Sequence, residues 1–285
     1  MLAAVRKNGS EIVRIDPRTN AVVARLRLDR PFNTIHFDYH IAAGYGSIWV
    51  TEHANDVLLR IDPTLTRVVK RTRIPGTPFG IALGFGSAWV PEFQGYEVAR
   101  VSAKTNKITA RFPATGPTAV TIGAGSVWVL AHRADEVLRI DPKSNRVIAR
   151  VPLKLHATPG GAERMAYGEG ALWVSDDGGS GLVRVDPQTN RQVAEILMPK
   201  SVTGAFSVAV GGGSVWVGGD NGYLVRIDPK RNAVTGMLRR AFGNRKDGCG
   251  PGLSGPGCTH SVVYAAGAVW VGSSVSTALL RIAPK

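Results

Sequence analysis

The chain has 285 residues, 44% of them apolar, with 34 Gly and 17 Pro spread along its length. That size can bury a substantial core in one domain, and the density of turn formers excludes long helices in favour of many short strands. No apolar run of about 18 residues occurs, which excludes a transmembrane helix, and the net charge of +14 points to a basic soluble surface or to an acidic partner.

In chain order, Met1 is followed by Leu-Ala-Ala-Val-Arg-Lys, too short and charged too early for the apolar core of a secretory leader. The first strands are expected at Leu2-Ala-Ala-Val5, Glu11–Ile15 and Ala21–Leu26, followed by a connection from Leu28 to Tyr39. Then a phrase begins to recur: Gly44-Tyr-Gly-Ser-Ile-Trp-Val50, Gly84–Val90, Gly123–Val129, Gly168–Val174, Gly211–Val217 and Ala265–Val271. All six tryptophans of the chain stand in it. A second phrase, Arg-Ile-Asp-Pro with small variations, begins at Arg14, Arg60, Arg100, Arg139, Arg184, Arg226 and Arg281.

From each Trp to the next Arg is 11 residues in five cases and 10 in one, whereas from each Arg to the next Trp is 35, 29, 28, 34, 32 and 44. One half of the unit is fixed in length and the other absorbs insertions, with a mean period in the propeller range of about 40–50 residues. Each unit reads as four strands, as in Phe79–Leu83, Ser87–Val90, Glu97–Val101 and Lys107–Phe112. The first two are apolar on both faces, as strands sandwiched between neighbours are, and the last two alternate. Asp16, Asp62, Asp141, Asp186 and Asp228 read as turn formers, since Asp accepts backbone hydrogen bonds, Pro presets φ and Asn tolerates the left-handed region.

Such a unit buries both faces only by stacking, and a closed ring does so with short edges. The expectation is an all-β, seven-bladed β-propeller of four-stranded antiparallel blades with incomplete terminal blades. It forms a single domain over 1–285, with blades at about 1–28, 38–75, 78–113, 117–152, 163–198, 205–240 and 260–285 and an insertion loop at 241–259.

In such a blade the start of the innermost strand, the end of the second and the connection between blades share one face of the disc. The longest connections, Leu28–Tyr39, Pro152–Arg164 and Leu238–Thr259, open there, where binding is concentrated in repeat proteins. Inner strands begin at His40, Phe79, Thr118, Arg164, Phe206 and His260; second strands end at Glu52 and His53, Glu92, His132, Asp176 and Asp177, Asp220 and Ser273. Histidines and carboxylates converging on a channel mouth can hold a divalent ion or act as acid and base, or they can simply be solvated. His40, His260, Glu52 and Glu92 are the catalytic candidates, and Glu52, Glu92 and His260 the metal candidates. Arg164, Asp176, Asp177, His132, Phe79 and Phe206 are candidate ligand-binding residues. Gly211-Gly-Gly-Ser and its relatives are repeat turns rather than phosphate loops.

Cys249 and Cys258 lie in one Gly/Pro-rich loop. A disulfide closing it is the preferred reading and two free thiols the alternative; the former places the protein in an extracellular or periplasmic compartment, with the cytoplasm as the alternative. The expected partner is a small molecule or an acidic polymer or protein at the channel-mouth face. Nucleic acid is not expected, because no Lys/Arg run of five or more occurs. The expected state is a monomer.

At Gly-x-Gly-Ser-[Ile/Val]-Trp-Val and Arg-Ile-Asp-Pro-x-Thr-Asn-x-Val the chain resembles, over nearly its whole length, the YVTN-type and virginiamycin B lyase-like propellers of bacteria. Related repeats serve as extracellular sensor domains, surface-binding proteins and enzymes. The lyases carry Trp-Phe-Thr-Glu where Trp49-Val-Thr-Glu52 stands here. They open a cyclic depsipeptide by elimination, using Mg²⁺ with His and Glu residues at the channel mouth. The resemblance implies those roles for His260, His40, Glu52 and Glu92. A ligand- or partner-binding propeller is the first expectation for function and a Mg²⁺-assisted lyase acting on a cyclic ester or peptide the second.

Overall fold

The computed structural model describes residues 2–6, 10–28, 39–156, 161–219, 222–239, 259–273 and 279–284. The described structure is all β apart from two single-turn 3₁₀ segments, His53–Asn55 and His132–Ala134. Five sheets have four strands in simple up-and-down order. Blade I comprises β4 (Tyr39–Gly44), β5 (Ser47–Glu52), β6 (Val57–Ile61) and β7 (Val68–Arg73), following an N-terminal sheet of β1 (Leu2–Arg6), β2 (Ser10–Ile15) and β3 (Val22–Leu28). Blade II comprises β8 (Ala82–Gly84), β9 (Ser87–Glu92), β10 (Glu97–Ser102) and β11 (Ile108–Pro113); blade III β12 (Pro117–Gly123), β13 (Ser126–Ala131), β14 (Glu136–Asp141) and β15 (Arg146–Pro152). Blade IV comprises β16 (Ala162–Gly168), β17 (Ala171–Asp176), β18 (Gly181–Asp186) and β19 (Arg191–Leu197); blade V β20 (Ala205–Gly211), β21 (Ser214–Gly219), β22 (Leu224–Asp228) and β23 (Ala233–Leu238). Blade VI has three described strands, β24 (Thr259–Ala265), β25 (Ala268–Ser273) and β26 (Leu279–Ile282).

The chain is therefore a β-propeller, and the count of seven blades is corrected to six. The Arg-Ile-Asp-Pro phrase occurs seven times but the Trp phrase six, and it is the Trp strand with its inner partner that makes a blade. In the three-stranded sheet β1–β3, Leu2 pairs with Arg14, the place that Trp49 takes opposite Arg60, and among the described residues no strand lies inside β1. This sheet fills the space between blades VI and I. Ile12 and Leu28 pack on Ile48 and Val50 of blade I, while Val13 and Ile15 pack on Ala268 and Trp270 of blade VI. The ends of the chain thus meet, and the ring closes.

Both glycines of the Gly-x-Gly turn have a physical reason. Tyr45 and Gly46 both have positive φ, 53° and 65°, the two-residue hairpin turn that suits the strand twist. The first glycine of each phrase meets the next blade: a Cβ on Gly123 would lie 2.1 Å from the Tyr167 ring. Beyond the turn, each Trp is buried and its indole N–H donates to the carbonyl five residues earlier, as Trp128 does to Gly123 at 3.0 Å.

The repeated arginine clamps one blade to the next. Arg139 lies with its guanidinium carbon 4.9 Å from the Trp128 ring centre, donates from Nε to Ser126 at 2.8 Å, and donates from one terminal nitrogen to the Pro187 carbonyl at 2.8 Å and to Asn190 Oδ1 at 3.0 Å. Arg60 and Arg100 repeat the pattern on Asn106 and Asn145. Those asparagines hold positive φ, and the Asp residues of the same turns accept backbone N–H groups, which lowers the carboxyl pKa of Asp16, Asp186 and Asp228.

One clamp is defective. Arg184 reaches Pro229 and Asn232, but Ala171 stands where the other four-stranded blades have Ser, and the buried Arg184 Nε has no hydrogen-bond partner. Ala171→Ser should supply one and stabilise the fold by about 1 kcal/mol, seen as a higher urea midpoint at unchanged slope. A lower midpoint would show that Arg184 Nε is satisfied some other way.

Candidate functional site

Inner-strand starts do come together on one face, and bulges aim them. In blades III to VI the register with the Trp strand slips at the same place, leaving Thr118, Glu163 with Arg164, Phe206 and His260 as the extra residues. Bulges of this kind redirect a side chain at the end of a strand. In blade II the expected strand Phe79–Leu83 is shorter: β8 starts at Ala82, because Pro91 on the facing strand has no N–H to donate, and the Phe79 N–H reaches the Pro91 carbonyl at 2.9 Å. In blade I, His40 stays in register opposite Thr51, whose hydroxyl accepts the His40 N–H at 3.3 Å.

Of these, His40, Phe79, Arg164 and Phe206, with His53, Phe93 and His132 beyond the Trp strands, form a connected belt. The Arg164 guanidinium lies between Phe79 and Phe206, at 5.1 and 5.0 Å from the ring centres, so blades II, IV and V meet across blade III. Phe79 also contacts His40 at 5.7 Å, His53 at 5.6 Å and Phe93 at 5.8 Å, and Phe93 lies 6.2 Å from His132. A second sandwich sits at the other end: Arg133 lies 4.8 Å from Phe93 and 5.3 Å from Tyr96, and donates to the Tyr96 hydroxyl. His132 Nδ1 is 2.6 Å from the Ala162 carbonyl, which only accepts, so Nδ1 carries a proton and donates it there. Glu163 pairs with Arg164 at 3.3 Å, and burial holds its carboxyl above the ordinary value against the pull of Arg164 and His132.

At the inner-strand starts, His40 Nε2 and the hydroxyl of Thr118, a residue 3% exposed, are buried without a hydrogen bond. Burial, with Arg164 and His53 alongside, lowers the His40 imidazole from 6.5 to about 3. The ring is therefore neutral near pH 7.

The sixth position of the Trp strand behaves differently. Glu52, Glu92 and Asp176 share the strand face of Ile48, Ala88 and Leu172, and alternation turns them between blades. Their exposures are 6%, 0% and 0%. Glu92 Oε1 lies 2.5 Å from Arg111 on the outermost strand, and Arg111 also meets Glu97 at 2.9 Å. Asp176 accepts the N–H groups of Gly179 and His156 at 2.9 and 3.2 Å, tying the loops together. Asp177, at the next position, returns toward the mouth, and its N–H donates to Gly161 at 2.8 Å. A Mg²⁺ on Glu52, Glu92 and His260 would have to displace Arg111, so Glu92 does not fit that role. Among the described residues no group of three His, Cys, Asp or Glu side chains is placed to hold a metal. The side chain of His260, all of Asp220, and Cys249 and Cys258 with their expected disulfide lie outside what the structure describes.

Phe93, Tyr96, Arg133 and Glu163 were not among the residues expected here. Phe93, Arg133 and Glu163 adjoin the expected Glu92, His132 and Arg164, and Tyr96 lies in the same turn after Trp89-Val90 as Phe93. No helix among the described residues is long and apolar enough to cross a membrane.

No family model matches the chain, and no curated protein does. Among solved structures, one chain of the hydrazine synthase of Kuenenia stuttgartiensis superposes with a TM-score of 0.74 at 12% identity, over 96% of this chain and 89% of that one. That likeness shows the propeller fold; the narrower resemblance to YVTN-type and lyase propellers finds no support in these comparisons.

Removing Arg111 should expose the structural role of Glu92. Arg111→Met leaves a buried carboxylate unpaired and should cost about 3 kcal/mol, whereas Glu92→Met with Arg111→Met should cost much less. Equal losses in the two proteins would mean that the pair is not what holds Glu92.

His40 gives a pH test. The unfolded imidazole takes its proton near 6.5 and the folded one only near 3, so in between the unfolded state binds more protons. The stability from keeping His40 neutral is whole above about 6.5 and is lost as pH falls toward about 3. The wild type should therefore lose stability relative to His40→Gln in urea titrations between pH of about 7 and about 4. A pH-independent difference would show that His40 is protonated alike in both states.

Proposed function

We propose that the chain is a ligand-binding propeller whose binding surface is the channel mouth formed by His40, Phe79, Phe93, His132, Arg133, Arg164 and Phe206. The observation that carries this is the Arg164 sandwich, which joins side chains far apart in sequence across the axis of the ring. Its aromatic side chains Phe79, Phe93 and Phe206 are half-buried, and a few polar groups stand among them, the usual make-up of a small-molecule site. Its loops are pinned in advance: Phe93, Arg133 and Asp177 donate backbone N–H groups to Thr77, Thr115 and Gly161 at 3.0, 3.2 and 2.8 Å. Pinned loops lose little freedom on binding, which favours affinity. The engagement of Glu92 and Asp176 in structural contacts weighs against an acid–base or metal constellation at the same mouth.

The test is a small-molecule screen followed by NMR. Ligands should shift the ring resonances of His40, His53 and His132, and Phe79→Ala should abolish binding while leaving the unfolding free energy from urea titration within about 2 kcal/mol of wild type. Ligands that shift only the opposite face, at the Tyr45 and Phe85 turns, would overturn the assignment.

A further inference from the structure

The charge of the mouth bears on the class of ligand, an inference that rests on the mouth being the binding surface. A recess lined by aromatic rings would ordinarily suit a cation, held against the ring faces. Here those faces are taken. Arg164 occupies Phe79 and Phe206, and Arg133 occupies Phe93 and Tyr96. The two sandwiches are joined through the 5.8 Å contact of Phe79 and Phe93. An arriving cation would meet two guanidinium groups already lying over these rings. A guanidinium stacked on both sides keeps its donors in its own plane, the geometry that receives a carboxylate edge-on.

Gly116 helps to make the second sandwich. Its φ is +57°, and a Cβ there would lie 2.7 Å from Arg133 Cγ, so the arginine stem crosses where no other residue would let it. Beside Phe79, Gly80 abuts the Thr118 carbonyl, which sets Thr118 next to the aromatic wall. The buried Thr118 hydroxyl and His40 Nε2, both without partners, belong to the same ring of strand starts. They are hydrogen-bonding groups withdrawn from water, and a carboxylate or a polar ring substituent would satisfy them. The carboxylates that compete for the guanidinium groups are Glu163, on Arg164, and Asp177, close enough to Glu163 to perturb it.

We propose that the mouth binds a small planar carboxylate, with its charge against the stacked guanidinium groups of Arg164 and Arg133 and its flat body along Phe79 and Phe93.

Benzoate, benzamide and benzylammonium, which differ in charge on one ring, test this by calorimetry and NMR on the full chain. Benzoate should bind at least about tenfold more tightly than the other two, and Arg133→Gln and Arg164→Gln should each weaken benzoate about tenfold while leaving benzamide unchanged. Arg150→Gln, on the outer strand where Arg150 pairs with Glu136, should change nothing. If Arg164→Gln fails to fold, the exposed Arg133 carries the comparison. Benzamide or benzylammonium binding as tightly as benzoate, with the same His40 and His132 shifts, would overturn the carboxylate while leaving the mouth as the site. Benzoate weakened equally by Arg150→Gln would reduce the effect to bulk charge and overturn it too. No His40 or His132 shift with any probe would remove both the anion and the mouth.

Discussion

The repeat arginines Arg60, Arg100 and Arg139 are each committed in three directions, and the packing of blade on blade depends on that. In Arg100 the flat head covers the tryptophan of its own blade, Nε ties back to the serine that opens the Trp strand, and a terminal nitrogen crosses to a proline carbonyl and an asparagine in the next blade. A lysine could supply the charge but not the plane or the fork. The asparagine is fixed in turn by the left-handed conformation of the Asp-Pro turn. Turn, indole and guanidinium therefore specify one another, and the fixed spacing from Trp to Arg is the sequence trace of that coupling. The spacing from Arg to the next Trp is free because the clamp lies on the opposite face from those connections.

The clamp also explains much of the charge. Seven of the 35 Lys and Arg residues occupy its position, and outer-strand arginines such as Arg25, Arg111 and Arg150 face glutamates on the adjoining strand. The seven repeat arginines alone equal half of the net +14, and the glutamate-paired ones add nothing to it. A basic isoelectric point is weak evidence for an acidic polymer when the charges are spent inside the fold. The arginines of the mouth are of another kind: Arg133 and Arg164 stand outside the repeat phrase, and the rings that hold them come from the variable face.

Much of this was legible in the sequence. The repeat, the identity of the inner-strand starts and their gathering on one face follow from two phrases and their spacing. The blade count did not, because Arg-Ile-Asp-Pro outnumbers the Trp phrase by one, and Arg14 serves a sheet without an inner strand. The carboxylates were harder still. Glu52 and Glu92 stand one residue before the mouth, and in a strand one residue is a change of face. Whether the turn begins after position 52 or 53 depends on the short 3₁₀ segment at His53, which no local pattern announces. The buried ion pair of Glu92 needed Arg111 from the outermost strand, two turns away in the chain.

A mouth built this way separates two jobs that propellers must do together. The clamp face is periodic and its residues repeat; the mouth face uses the same register positions for His40, Phe79, Thr118, Arg164 and Phe206, five different positions on one scaffold that carry an imidazole, a hydroxyl, a guanidinium and two phenyl rings. Because bulges deliver most of them, the side chain at each position can change without disturbing the ladder beneath it. The neutral state of His40 belongs to this logic. An imidazolium there would sit buried beside Arg164, and the resulting repulsion would work against the Phe79–Arg164–Phe206 contacts. Keeping His40 uncharged lets Arg164 be held beside it between the two rings without that repulsion.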